Sequence, residues 1–429
     1  MPQLGLFNLF RTLLFEPAFS GVALQFLLEG TKDPRRGTRD DESVGDFLAR
    51  RMSSNLVDRV VSAVFHGIYA GDVWQLSAKS LLPTQWRDEV EQGSLVEGIV
   101  KSSIEGPEYT RREMAFVETI KTFGKPSDEW THTFARTSVF TYRNGLQQLA
   151  DSLTGHLRGL GNVDFQTNTS ILKASNDEDS ISLELKQQDK QSIVTLHSHV
   201  ISALSPGHLS NIVMDPSLAS TLKKIPAVTV MTVNLYYRTP GLHPPGFGYL
   251  IPLATPIDQN PERALGVVFD TSYAPDPNPE LRGDDMQGPI QDTVSSRGTK
   301  LTVMLGGHYW NDWPVFPTEE EGLAMAKSLL SRHLGITEEP AAHMVNIQKD
   351  CIPQYTVGHE QRLKDVHAKL IDTYGGKFRV AGNWARGVGV NDCLRSAWDV
   401  ARELTDGGKT GLEPVVEDKG YERMKIKKP

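Results

Sequence analysis

The chain has 429 residues, 39% of them hydrophobic and 23% charged, enough for two or three domains with a sizeable core. Its formal net charge of −8 excludes a general nucleic-acid binder, because no basic excess stands ready to displace counterions from phosphates. The two cysteines, Cys351 and Cys393, make neither a CxxC nor a zinc spacing, so the compartment is reducing or indifferent to disulfides.

The first 30 residues, MPQLGLFNLFRTLLFEPAFSGVALQFLLEG, are strongly apolar and are split by Pro17. No stretch of eighteen residues is predominantly apolar, so no transmembrane helix is expected. A basic n-region and a small-residue cleavage site are lacking. Phe7, Phe10 and Leu14 share a helical face, and Phe26 is a further candidate for an inserted face. Two readings stay open for this segment: a helix packed on its own domain, and an interfacial membrane segment.

Residues 1 to about 130 read as mostly helical. After a charged loop, TKDPRRGTRDDES, Ser43 starts a helix with Asp46 as its acidic partner. LVDRVVSAVFHGIYAGD reads as an apolar helix with a glycine-rich exit. A short strand-like run ends at the turn signal Asn144-Gly145, and Leu146, Leu149, Leu153 and Leu157 then share one helix face. SISLELK and SIVTLHSHVIS read as strands of a small β-meander inserted in an α/β domain, with Ile181, Leu183 and Leu185 facing one way. His197 and His199 read as ordinary strand histidines, because no Cys or Asp cluster accompanies them. AVTVMTVNLYY, RALGVVFD and TKLTVMLGG form a second group of strands. TEEEGLAMAKSLLSRHLG is an amphipathic helix closed by Gly335, and AAHMVNIQKDCIPQYTVGH is a strand leading to a turn. FRVAGNWARGVGVNDCLRSA, from Phe378 to Ala397, reads as strand, glycine-bearing turn and helix, a junction suited to an anion or a cofactor.

Seven blocks carry a resemblance: HGIYAGDVWQLSAKS, RNGLQQLADSL, VISALSP, GFGYLIP, TVMLGG, CIPQYTVGH and GVGVNDCLRSA. In this order, and over almost the whole chain, the sequence resembles the protoporphyrinogen oxidase family of flavoenzymes in its eukaryotic form. The resemblance implies a mixed α/β, FAD-binding, amine-oxidase-like flavoprotein fold with a helical membrane domain and a β-rich substrate domain. It divides the chain into a helical membrane-binding domain (1–130), the middle part of an FAD domain (131–212), a substrate domain (213–344) and the C-terminal part of the FAD domain (345–429). It implies FAD, O2 as acceptor, protoporphyrinogen IX as substrate, a place in haem biosynthesis, peripheral attachment to the mitochondrial inner membrane, and allows a homodimer.

Carried over by resemblance, Asn383 ends the strand before the cofactor turn, and the backbone of Val388, Gly389 and Val390 meets the FAD. Physics agrees: a helix N-terminus presents unpaired N–H groups, and Gly387 and Gly389 let a backbone approach closely. The backbone of Ile171 is implied at the adenine, and Phe247, Leu250 and Met304 at an apolar slot for the macrocycle. His66 and His359 read as structural, and no general base is named. The family's opening strand and GxGxxG turn have no counterpart, since Gly159–Gly161, Gly246–Gly248 and Gly387–Gly389 all lack the third glycine. The expectation is an N-terminally truncated member: a natural truncation, a mis-started gene or a degenerate copy. The alternatives are another amine-oxidase-fold flavoenzyme, such as a polyene desaturase, and a non-catalytic membrane-associated remnant.

Overall fold

The computed structural model describes residues 22–35, 40–106, 108–124, 127–136, 142, 145–188, 190–273, 298–404, 409–417 and 421–423. Phe7, Phe10, Leu14, Pro17 and Asn144 lie outside the described residues.

A layer of short helices comes first. Ser43 caps Val44–Arg51, accepting from the Asp46 amide at 2.9 Å and donating to its carboxylate at 2.7 Å, as the sequence predicts. The helix begun at Ser54 runs through a π-type turn, Val57–Val61, into Ser62–Tyr69. Pro83–Glu91 and Leu95–Glu105 complete the layer. Val44, Phe47, Val57, Phe65, Leu76, Trp86 and Leu95 form its core.

The same interior holds charge. Fully buried Arg51 binds the buried Glu29 carboxylate and the carbonyls of Lys32 and Gly93. Buried Glu89 takes Arg35 at 2.8 Å and also Arg50. Burial pushes the Glu29 carboxyl up, but bonds from Ser94, the Leu95 amide and Arg51 outweigh it and leave it below its ordinary value. Several bonds per ion offset the desolvation that a lone buried charge would suffer.

The expected helical membrane domain over residues 1–130 is corrected by this layer. Among the described residues no helix is long and apolar enough to cross a membrane. The helices are short, part of their apolar surface packs together, and ion pairs occupy part of the space between them. The layer also bonds into the rest of the chain: the His308 amide donates to the Ala70 carbonyl at 2.8 Å, and the Gln354 side chain to the Tyr69 carbonyl at 2.8 Å.

Five antiparallel strands form the central sheet in the spatial order Ala342–Pro353, Ala227–Tyr237, Thr299–Gly306, Ala264–Phe269, Gly248–Leu250. One face carries Met231, Val233, Leu235, Leu301, Val303 and Leu305, packed against Ala326, Leu329 and Leu330 of the helix Glu319–Leu334. That helix opens with a Thr318/Glu321 capping box and closes at Gly335, φ 69°, where a left-handed residue is needed.

A third body joins the meander Thr169–Asp177, Ser180–Gln187, Ile193–His197 to the helix His359–Tyr374. Ile181, Leu183 and Leu185 face its core, as alternation predicts, and meet Leu363, Val366, Leu370, Phe378 and Trp384. SIVTLHSHVIS is not one strand. The chain leaves the meander after His197, and Val200–Ser202 pairs in parallel with Phe378–Val380. The helix Gln147–Gly159 forms where expected but buries none of its residues, and Leu146 and Leu153 stand more than half exposed.

Candidate cofactor and substrate site

The buried strand Phe378–Val380 leads into the turn of interest. Gly382 has φ 136°, a backbone conformation open to glycine alone at little cost. The helix Val390–Arg402 begins at Gly389, and no side chain caps it. Gly389 and Val390 are exposed, and Val388 is half-buried. The Asp392 carboxylate folds back so closely that a Cβ on Gly387 would run into it. A negative group at this helix start suits the dipole and repels a phosphate. The turn therefore suits a neutral, hydrogen-bonding edge rather than an anion, which narrows the reading made from sequence.

Two side chains fix the turn from beneath. The Tyr355 hydroxyl donates to the Asn383 carbonyl at 2.6 Å, and His359 Nε2 donates to the Trp384 carbonyl at 3.0 Å. Burial, with the nearby Arg362 cation, pushes the His359 imidazole down to about 3, so the ring is neutral. The Asn383 side chain reaches across to the Cys351 carbonyl at 3.4 Å. A cavity of about 460 Å³ adjoins the turn, lined among others by Tyr355, His359, Arg386, Asp392 and Arg395. Arg386 is tied to Asp399 at 2.6 Å and Arg395 to Glu113 at 2.9 Å.

The slot residues lie on the sheet face opposite the helix Glu319–Leu334. Leu250 pairs with Gly266 and Gly266 with Met304, so one row across three strands reads leucine, glycine, methionine. Gly266 lets the neighbouring strand and the Leu250 side chain close over it: a Cβ there would lie 2.6 Å from the Tyr249 carbonyl and 2.9 Å from Leu250. Met304 packs against the small core of Ala70, Val228, Val230 and Leu265, and so, separately, does Cys351. The two halves meet at this small core: the Cys351 carbonyl accepts from Asn383, and the side chains of Cys351 and Met304 each pack on it. Phe247 is 43% exposed, precedes the strand and has the opposite parity to Leu250, so the structure does not bring it into the row. Ile171 pairs with Leu185 and packs on the core that includes Trp384 and Ala385.

Close to Leu250 lies a pair that sequence reading missed. His66 Nδ1 donates to the Ile251 carbonyl at 2.6 Å, and His66 and His308 share a hydrogen bond between their Nε2 atoms at 2.9 Å. A carbonyl only accepts, so Nδ1 of His66 keeps the proton and its Nε2 accepts from His308. Burial and the neighbouring His66 push His308 down to about 4.

These features suit a flavin: an uncapped helix start with exposed backbone, a cavity beside it, and an apolar row that shares a small core with Cys351. Comparison with known proteins agrees. Residues 10–405 match the family of flavin containing amine oxidoreductases. The protoporphyrinogen oxidase of Schizosaccharomyces pombe is 30% identical over 399 residues, covering 91% of this chain and 74% of that protein. The coproporphyrinogen III oxidase of Bacillus subtilis is 25% identical over 381 residues, covering 87% and 68%. A solved structure from Exiguobacterium sp. 255-15 shares the fold with a TM-score of 0.66 at 22% identity, over 93% of this chain and 75% of that one. The chain belongs to the flavin containing amine oxidoreductase family and, within it, to the porphyrinogen-oxidase-like flavin oxidases.

Proposed function

We propose that this chain is an FAD-dependent oxidase that converts protoporphyrinogen IX to protoporphyrin IX with O2 as acceptor, in haem biosynthesis. The observation that carries the reading is that the glycine turn and the apolar row Leu250–Gly266–Met304 rest on one small core: Asn383 bonds to the Cys351 carbonyl, and Cys351 and Met304 each pack against Ala70, Val228, Val230 and Leu265. A bound flavin would supply the hydride-accepting chemistry. The chain's own part is to hold and orient. The backbone of Val388, Gly389 and Val390 faces the cofactor, Asn383 braces the strand end, and Ile171 serves the adenine. Leu250 and Met304 grip the apolar macrocycle, with exposed Phe247 beyond the end of their row. A peripheral place on the mitochondrial inner membrane belongs to the same proposal and follows from the resemblance to the eukaryotic family.

The test is direct. The purified chain, supplied with FAD, is given protoporphyrinogen IX or coproporphyrinogen III under air, and porphyrin fluorescence is followed. Faster formation of protoporphyrin than of coproporphyrin supports the reading. Preference for coproporphyrinogen would move the substrate toward that of the Bacillus relative. No oxidation of either by flavin-loaded protein would reject the activity.

A further inference from the structure

We propose that Tyr355 and His359 are positioning residues, a latch that sets the turn Gly382–Gly389 in place for a bound cofactor; the proposal rests on reading that turn as the flavin site.

The two residues are four apart, and their rings stack at 4.2 Å with planes within 9°. Their bonds go to two consecutive carbonyls, Asn383 and Trp384. Fixing both carbonyls fixes the peptide planes that begin the turn, and so limits where the following amides can point. Both side chains are almost wholly buried, at 2% and 1% exposure, so losing either bond leaves a poorly solvated polar group.

The chemistry of the histidine is set as well. The Trp384 carbonyl can only accept, so Nε2 carries the proton and Nδ1 is left as a bare acceptor. Nδ1 is buried and has no hydrogen-bond partner among the described residues. One neutral tautomer therefore serves the latch. The latch is also mounted on something firm. The Ser77 amide donates to the Tyr355 carbonyl at 2.7 Å, and the Gly358 amide donates to the Asp41 carboxylate at 2.7 Å. Its backing is the helical layer rather than the turn itself.

A purely structural role would look like that of Tyr374. That side chain is equally buried, and its hydroxyl donates to the Ala174 carbonyl at 3.1 Å on the meander, not to the turn. It supplies the control.

The experiment compares Tyr355→Phe, His359→Asn, His359→Gln and Tyr374→Phe in the full chain. Amide hydrogen exchange over residues 383–391 and FAD affinity are measured beside thermal stability. Tyr355→Phe and His359→Asn should speed exchange in the turn about tenfold and weaken FAD about tenfold, the scale of one lost buried hydrogen bond. His359→Gln keeps an amide donor near the position of Nε2 and should restore most of both. Tyr374→Phe should lower the melting temperature as Tyr355→Phe does, yet leave turn exchange and FAD affinity as in the parent. Unchanged exchange in Tyr355→Phe and His359→Asn overturns the latch. An opened turn with parental FAD affinity, or equal FAD loss in Tyr374→Phe, overturns the positioning role. A parent that takes up no FAD rejects the flavin reading and the cofactor role with it, and exchange alone then decides whether the latch holds the turn.

Discussion

The carboxylate of Asp392 stands in the space that a side chain on residue 387 would need. Gly387→Ala should therefore displace Asp392 or the turn, at a cost of about 1–3 kcal/mol. Asp392→Ala alone should cost less, about 0.3–1 kcal/mol for a lost acid in the first turn of a helix. Because the two changes act on one contact, the double variant should be more stable than the sum of the singles. Urea unfolding of all four proteins gives the coupling. Strict additivity would show that the two residues do not meet.

Arg51 and Glu29 are both fully buried and bonded to each other. Removing one partner leaves a charge uncompensated. Glu29→Ala should thus destabilise by about 3–5 kcal/mol, whereas Glu29→Leu combined with Arg51→Met should cost much less. Denaturant midpoints report the difference. A single change as mild as the double would mean that water reaches the site.

Acid should loosen the fold above the usual carboxylate range. The His359 imidazole sits at about 3 in the folded chain against an ordinary 6.5. Between those values the unfolded chain takes up a proton that the folded chain refuses, so stability falls as pH drops from about 6.5 toward 3. The slope approaches about 1.4 kcal/mol per pH unit for each such histidine. His308, at about 4, acts in the same direction. The lowered carboxyls of Glu29 and Glu89 add a further loss only below about their ordinary 4.5. His359→Gln should make the fall between pH 6.5 and 3 shallower, leaving the share of His308 and, below about 4.5, that of the carboxylates. Urea midpoints across this range give the answer, and an unchanged fall would place the sensitivity elsewhere.

Leu250 is 38% exposed, so a charge there is tolerable to the fold. Leu250→Glu should leave flavin content and melting temperature near the parent and raise KM for the porphyrinogen about tenfold, because an apolar ligand would have to strip water from the carboxylate. Steady-state kinetics separate KM from kcat. Equal KM in both proteins would remove Leu250 from the slot.

Periodicity made much of the architecture legible. Ile181, Leu183 and Leu185 alternate in sequence and face one core, and Ser43 with Asp46 marks a helix start that the fold keeps. Leu250 and Met304 were named from separate blocks, yet they fall in one row only because Gly266 registers between them, which no local pattern shows. His66 and His308 are 242 residues apart, so their shared hydrogen bond has no sequence signature. TKDPRRGTRDDES reads only as a charged loop, and nothing local shows that Arg35 and Glu42 within it join ion pairs to Glu89 and Arg50. The leucines of Gln147–Gly159 show the converse: their spacing fits an apolar face, but none of them is buried. Helical spacing says that a face exists, not what lies against it.

The bond from Gln354 to the Tyr69 carbonyl joins residues 285 apart in sequence. During synthesis at about 5–20 residues per second, the early helices would wait roughly 15–60 s for the segment that braces them. Over that interval the helix Ser62–Tyr69 emerges without the bond that its last carbonyl later receives. The same segment carries Tyr355 and His359, so the ribosome delivers the brace of the oldest part and the latch of the turn in one short burst. Completion of the helical layer and delivery of the residues that hold the glycine turn are therefore a single, late event in the life of the nascent chain.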